Sequence, residues 1–163
     1  VKSLKDNNNI YLVPAFTGLG APYWDANARG VLSGITRDTS PKEIVRATIE
    51  AVAYQTYDLF EAMKHDGLRP KIVKVDGGMV MNSWFSQFLS NIVNVKVLRP
   101  KVQETTALGA AFMAGLQIGV YKSLKDISKN WHLDKKFSPK MKNSLRNKLL
   151  KGWSSAIKKT LSN

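Results

Sequence analysis

A chain of 163 residues, 44% hydrophobic, has the length of one domain and enough apolar side chains to bury a core without covalent staples. The absence of cysteine excludes disulfides, thiolate metal sites and a cysteine nucleophile, and no apolar run reaches the ~20 residues that span a bilayer. The formal charge of +13 is concentrated at one end: 12 of the 25 Lys and Arg residues lie from Tyr121 onward, against Asp126 and Asp134 alone.

In chain order the pattern alternates strands with helices, which predicts a layered α/β architecture. Ile10 to Phe16 reads as a short strand, followed by a turn-rich run Thr17–Trp24 and a second strand over Gly30 to Ile35. Ser40, Pro41 and Glu43 announce a helix by an N-cap, a first-turn proline and a capping box. Val45, Ile49, Val52, Leu59, Phe60 and Met63 are its expected apolar face, and Gly67 and Pro70 its end. Lys71–Val75 is a compact strand running into Asp76-Gly-Gly78, and a helix opens at about Asn82. Val95–Leu98 is a further strand closed by Pro100, and Thr105–Leu116 a helix rich in Ala and Gly. Ser138-Pro139 is the expected start of an amphipathic C-terminal helix. Its stripe is Met141, Leu145, Leu149, Trp153, Ile157 and Leu161, which would dock the basic tail and leave its lysines in water.

The feature that bears on chemistry is Val75-Asp-Gly-Gly-Met-Val-Met-Asn82, a strand feeding a glycine turn that opens a helix. Glycines permit close ligand approach, and a helix N-terminus offers unpaired N–H groups to a phosphate or a polar heterocycle. The run is neither a GxGxxG fingerprint nor a P-loop, so a plain tight turn and a nucleotide site both remain open. His65 and His132 lack a third ligand partner, and no metal site is expected. Glu50 and Asp58, eight residues apart on the first long helix, read as a solvated face rather than an acid–base pair. Trp24 and Asp25 follow a Gly/Pro turn, where a loop either holds substrate or covers a core edge.

The run Gly30-Val-Leu-Ser-Gly-Ile35, followed after seven residues by Glu43-Ile-Val-Arg-Ala-Thr-Ile-Glu50, resembles the second signature of the FGGY carbohydrate kinases. Pro14–Trp24 with Ala28-Arg-Gly30, Ala53–Thr56, Thr106–Ala111 and Phe137–Lys159 resemble the members of that family that phosphorylate glycerol. The resemblance implies an actin-like ATPase fold of two ribonuclease-H-like domains, residues 1–163 being the C-terminal part of the nucleotide-binding domain with a basic helical tail from about 121. It implies ATP as donor with Mg²⁺, and makes Asp76-Gly-Gly78 the adenosine motif. Gly78 and Asn82 then contact the nucleotide, and Gly77 and Met79 line the same loop. Met79 stands where bacterial members often have alanine. Thr106–Ala111 resembles the helix at the domain boundary about which closure is hinged.

The resemblance also places outside this chain an N-terminal domain holding glycerol, the aspartate general base and two phosphate-binding hairpins. It therefore assigns no catalytic residue and no Mg²⁺ ligand here, and this chain alone is expected to be inactive. The expected partners are ATP or ADP, glycerol in the whole enzyme and the N-terminal domain. A homo-oligomer is allowed, and neither nucleic acid nor membrane is expected. The alternatives are another FGGY sugar kinase or a basic nucleic-acid-binding module over 121–163, for which no aromatic interleaving of the lysines is visible. Nothing at the N-terminus resembles a signal peptide, so a cytoplasmic address is expected. The sequence opens on Val1, as a processed or excised piece would.

Overall fold

The computed structural model describes residue 4 and residues 6–162. Ser40 starts the long helix α1 (Pro41–His65) with both arms of the capping box in place. Its end is a glycine cap. Gly67 has φ +86°, its N–H reaches the Lys64 carbonyl, and the Leu68 N–H reaches that of Met63. Ahead of α1, strands β1 (Tyr11–Val13) and β2 (Val31–Ser33) form an antiparallel pair in the register Tyr11↔Ser33. Both are shorter than the sequence suggests. Pro14 has no N–H to continue β1, and Gly34, at φ +86°, turns the chain out of β2. A side chain at Gly34 would run into the Asn9 carbonyl.

The second sheet has the order β3-β4-β5, with β3 (Ile72–Lys74) parallel to β4 (Lys96–Pro100) and β5 (Leu133–Phe137) antiparallel to β4. A register shift between Arg99 and Pro100 lets a proline end the central strand. The helices α2 (Ser83–Val93), α3 (Thr105–Gln117), the short α4 (Leu124–Ser128) and α5 (Asn143–Thr160) complete the chain. One apolar core joins β1, α1, α2, β4 and α5 through Tyr54, Phe88, Ile92, Val97, Leu149 and Trp153. Among the described residues no helix is long and apolar enough to cross a membrane.

Three expectations are corrected. Of the expected apolar face of α1, Ile49, Val52 and Phe60 are half-buried against the core while Val45 and Leu59 are exposed, and the fully buried face lies beside it. That buried face is Arg46, Ala47, Glu50, Ala51, Tyr54 and Asp58, spaced by threes and fours. Glu50 and Asp58 are accordingly not solvated. Glu50 is 0% exposed. It accepts from Arg46 Nε at 2.6 Å and from the Tyr54 hydroxyl at 3.0 Å. Asp58 accepts from Trp153 Nε1 at 2.8 Å. Lastly, α5 begins at Asn143, because the residues after Ser138 are tied elsewhere: Asn91 Oδ1 accepts from the N–H groups of Lys140 and Met141. Its stripe also drifts. A step of four residues turns about 40° beyond a full helical turn, so Leu145 is exposed while Leu149, Trp153, Ala156, Ile157 and Thr160 are buried.

Burial pushes the Glu50 carboxyl above the ordinary glutamate range, against the pull of Arg46 and Tyr54. Removing the guanidinium strands a buried charge, and Arg46→Met is expected to cost about 3 kcal/mol at neutral pH, at the low end for a broken buried pair because Tyr54 still donates. A carboxyl whose folded pKa is raised binds its proton more tightly in the folded state. The penalty therefore grows as pH rises through the raised folded-state pKa of Glu50 in the parent, and shrinks as pH falls below it. Urea unfolding of both proteins at several pH values checks this. A pH-independent difference would mean that Glu50 is not the charge concerned.

Candidate nucleotide site

Strand β3 ends at Lys74, and the Val75 N–H still reaches the Leu98 carbonyl at 3.1 Å, so the chain leaves the sheet at Asp76. Gly77 takes φ +82°, a conformation that favours glycine, and its N–H donates to the Gln103 carbonyl at 3.3 Å. Gly78–Met81 form one 3-10 turn, and Asn82 is at once its C-cap and the N-cap of α2. Asn82 Oδ1 accepts from the N–H groups of Trp84, at 3.0 Å, and Phe85, at 3.4 Å. Its Nδ2 makes no hydrogen bond among the described residues.

Gly77, Gly78, Met79 and Asn82 thus lie on one short turn at the end of β3, with Gly78, Met79 and Asn82 exposed. Val80 is buried and anchors the turn. A Cβ built at Gly78 meets nothing within 4 Å, so the open space beside it is unused by this chain. Arg99 fastens the turn from beneath, its Nη1 donating to the carbonyls of Val80 at 3.0 Å and Met81 at 3.1 Å. No single-residue motif in the sequence points to Arg99. The only signal is an arginine next to the proline that ends the strand Lys96–Pro100.

The other candidates separate from this turn. Trp24 is 78% exposed, whereas Asp25 is an anchor: its carboxylate accepts from the Ser162 N–H at 2.8 Å and from the Ser162 hydroxyl, holding the Gly/Pro loop to the end of α5. Those bonds, led by the Ser162 N–H, hold the Asp25 carboxyl below the usual range. Asp25→Ala is expected to free both segments and lower the melting temperature slightly. No difference would mean that the two ends are held by other contacts. Among the described residues no three His, Cys, Asp or Glu side chains gather to hold a metal ion, and neither His65 nor His132 belongs to such a group. In α3 only Gly115 is buried, under the Tyr121 ring, while Thr106, Ala107, Ala110, Ala111, Met113 and Ala114 are exposed.

Comparison with known proteins gives the family and the fold. Residues 2–118 match the profile of the FGGY family of carbohydrate kinases, C-terminal domain. The chain belongs to that family. Among its FGGY relatives, glycerol kinase 1 of Pseudomonas aeruginosa is 55% identical over 157 residues, which is 96% of this chain and 32% of that protein. A glycerol kinase of Clostridium botulinum is 50% identical over 97% of this chain and 32% of its own length. The similarity therefore runs past residue 118 into the basic tail. The crystal structure of Plasmodium falciparum glycerol kinase with ADP superimposes with a TM-score of 0.85 at 35% identity, covering 99% of this chain and 33% of that one. A ligand-bound xylulose kinase from Lactobacillus acidophilus gives a TM-score of 0.75 at 28% identity, covering 93% of this chain and 31% of that one. The chain thus spans about a third of the length of these FGGY kinases and has the fold of the C-terminal actin-like ATPase domain.

Proposed function

We propose that this chain is the adenosine-holding part of a glycerol kinase, which transfers the γ-phosphate of ATP to glycerol to give glycerol 3-phosphate. The observation that carries the reading is identity of 50% and above to glycerol kinases along almost the whole chain, tail included. The turn geometry supports it. Gly78 leaves room for a flat heterocycle, Asn82 has an uncommitted amide, and Gly77 and Met79 complete the loop.

Phosphoryl transfer rests on in-line positioning and on charge neutralisation around the γ-phosphate. In this reading the chain fixes the adenosine end of ATP, while the N-terminal domain supplies the phosphate contacts, the hydroxyl acceptor's base and the glycerol contacts. Mg²⁺ belongs with the phosphates, where it would offset the developing charge, and no residue described here is assigned to it. The exposed small side chains of α3 suit a helix against which that domain slides on closure. A cytoplasmic location goes with ATP as donor. Lys151, Lys158 and Lys159 lie on the exposed face of α5, opposite the face committed to the core.

The test is to complete the chain with the N-terminal two-thirds of a glycerol kinase and, separately, of a xylulose kinase. Glycerol-dependent ATP turnover is expected in the first hybrid and none with xylulose in the second. The reverse pattern would assign the chain to another sugar kinase of the family.

A further inference from the structure

We propose that Arg99 is a positioning residue for the nucleotide, acting through the backbone of the turn that carries Gly78 and Asn82. The proposal rests on the reading of that turn as the adenosine site. Arg99 is 8% exposed, on the central strand β4. Its Nη1 donates to the carbonyls of Val80 and Met81 and lies 3.4 Å from the Ser83 hydroxyl. Its Nε donates to Asp134 Oδ2 at 2.7 Å, and its guanidinium carbon stands 5.6 Å from the centre of the Phe137 ring.

The last carbonyls of a helical turn have no partner within it, and here they point back into the protein, where water does not reach them freely. Arg99 serves both. The turn has other ties too: Ser86 Oγ shares the Val80 carbonyl at 2.9 Å, the Gly77 N–H reaches Gln103, the Asn82 N–H reaches the Met79 carbonyl at 3.1 Å, and the Val80 side chain is buried. The two glycines offer no side chain to pack. Arg99 therefore ties down two of the carbonyls that lie between Gly78 and Asn82, beside the buried Val80 side chain and the cap that Asn82 makes on α2. Only arginine has the planar, permanently charged fork that can hold a carboxylate on one edge and backbone carbonyls on another, and lysine would bring a single ammonium.

Asp134, the second holder of the guanidinium, lies on β5, beyond the residues matched by the family profile. The tail therefore reaches the nucleotide turn through a chain of two side chains. A base that binds against a loose turn must order it first, and that cost appears in nucleotide affinity. The transfer step, which depends on groups around the γ-phosphate, is left intact.

The test uses a full-length glycerol kinase carrying this chain as its C-terminal third. Arg99→Met is expected to raise the KM for ATP about tenfold while kcat and the KM for glycerol stay within about twofold. Arg99→Lys is expected to recover part of the loss, and Asp134→Asn to raise the ATP KM about threefold. Equal rises in both KM values, or a lowered melting temperature with ATP KM unchanged, would make Arg99 a structural residue only and overturn the proposal. If Arg99→Met does not fold, Asp134→Asn decides: a folded variant with unchanged ATP KM overturns it. Gly78→Val separates the two levels. If that variant loses ATP affinity and the Arg99 variants do not, the positioning role alone fails, and if it is itself silent, the site reading fails with it.

Discussion

Trp153→Ala is expected to lower stability by about 5 kcal/mol, the upper end for deleting a buried aromatic. Trp153 is 1% exposed. It stacks on the Tyr54 ring with centroids 5.2 Å apart and planes 19° from parallel. Its indole N–H also reaches Asp58, whose carboxyl is pushed up by burial and drawn back by its hydrogen bonds, first that from Trp153. Truncation opens a cavity between α1 and α5 and leaves a buried carboxylate short of a donor. Trp153→Phe keeps an aromatic ring and loses only the N–H, so its cost is expected near 1–3 kcal/mol. Lys158→Ala and Lys159→Ala, on the exposed side of the same helix, are expected to stay within about 0.5 kcal/mol. Chemical denaturation of the four variants checks the series. A tryptophan variant as stable as the parent would mean that α5 is not docked through this residue.

In a full-length glycerol kinase carrying this chain, Gly78→Val is expected to raise the KM for ATP about 100-fold, or ~2.7 kcal/mol, with the glycerol KM little changed. A Cβ at this position meets nothing within 4 Å, and Gly78 does not need a left-handed backbone. The fold tolerates the side chain, and only a ligand resting on the turn would not. Gly77 is a poorer probe, since its φ of +82° makes any side chain there strain the backbone. Asn82 separates two roles. Asn82→Ala loses the cap of α2 and is expected to cost about 1 kcal/mol of stability. Asn82→Asp keeps an acceptor for the cap but has no amide donor, so stability should hold while ATP affinity falls about fivefold, near 1 kcal/mol for one neutral hydrogen bond. If Gly78→Val and Asn82→Asp both leave ATP kinetics untouched, the loop is a turn between β3 and α2 and nothing more.

Local chemistry made parts of this structure legible in the sequence. Ser40, Pro41 and Glu43 act within one turn of chain, so their capping box needs no tertiary information. The strand, glycine turn and helix start around Asp76–Asn82 are likewise local. What depends on neighbours was not legible. Glu50 and Asp58 look like surface residues until Arg46, Tyr54 and Trp153 close over them, two of these from the same helix and one from 95 residues further on. Strand β5, Leu-Asp-Lys-Lys-Phe, buries only Phe137 and shows no alternation; its pairing with β4 is what makes it a strand. Arg99 belongs to the same class, since its role exists only where β4 passes beneath the turn.

The most direct measurement is glycerol-dependent ATP turnover by this chain, alone and after completion with the N-terminal two-thirds of the Pseudomonas aeruginosa enzyme. A chain that holds only the adenosine end of ATP should give no glycerol 3-phosphate alone and should form it together with ADP, one for one, once completed. Turnover by the 163-residue chain alone would contradict the account, because it would require a base and phosphate contacts in residues assigned here to neither.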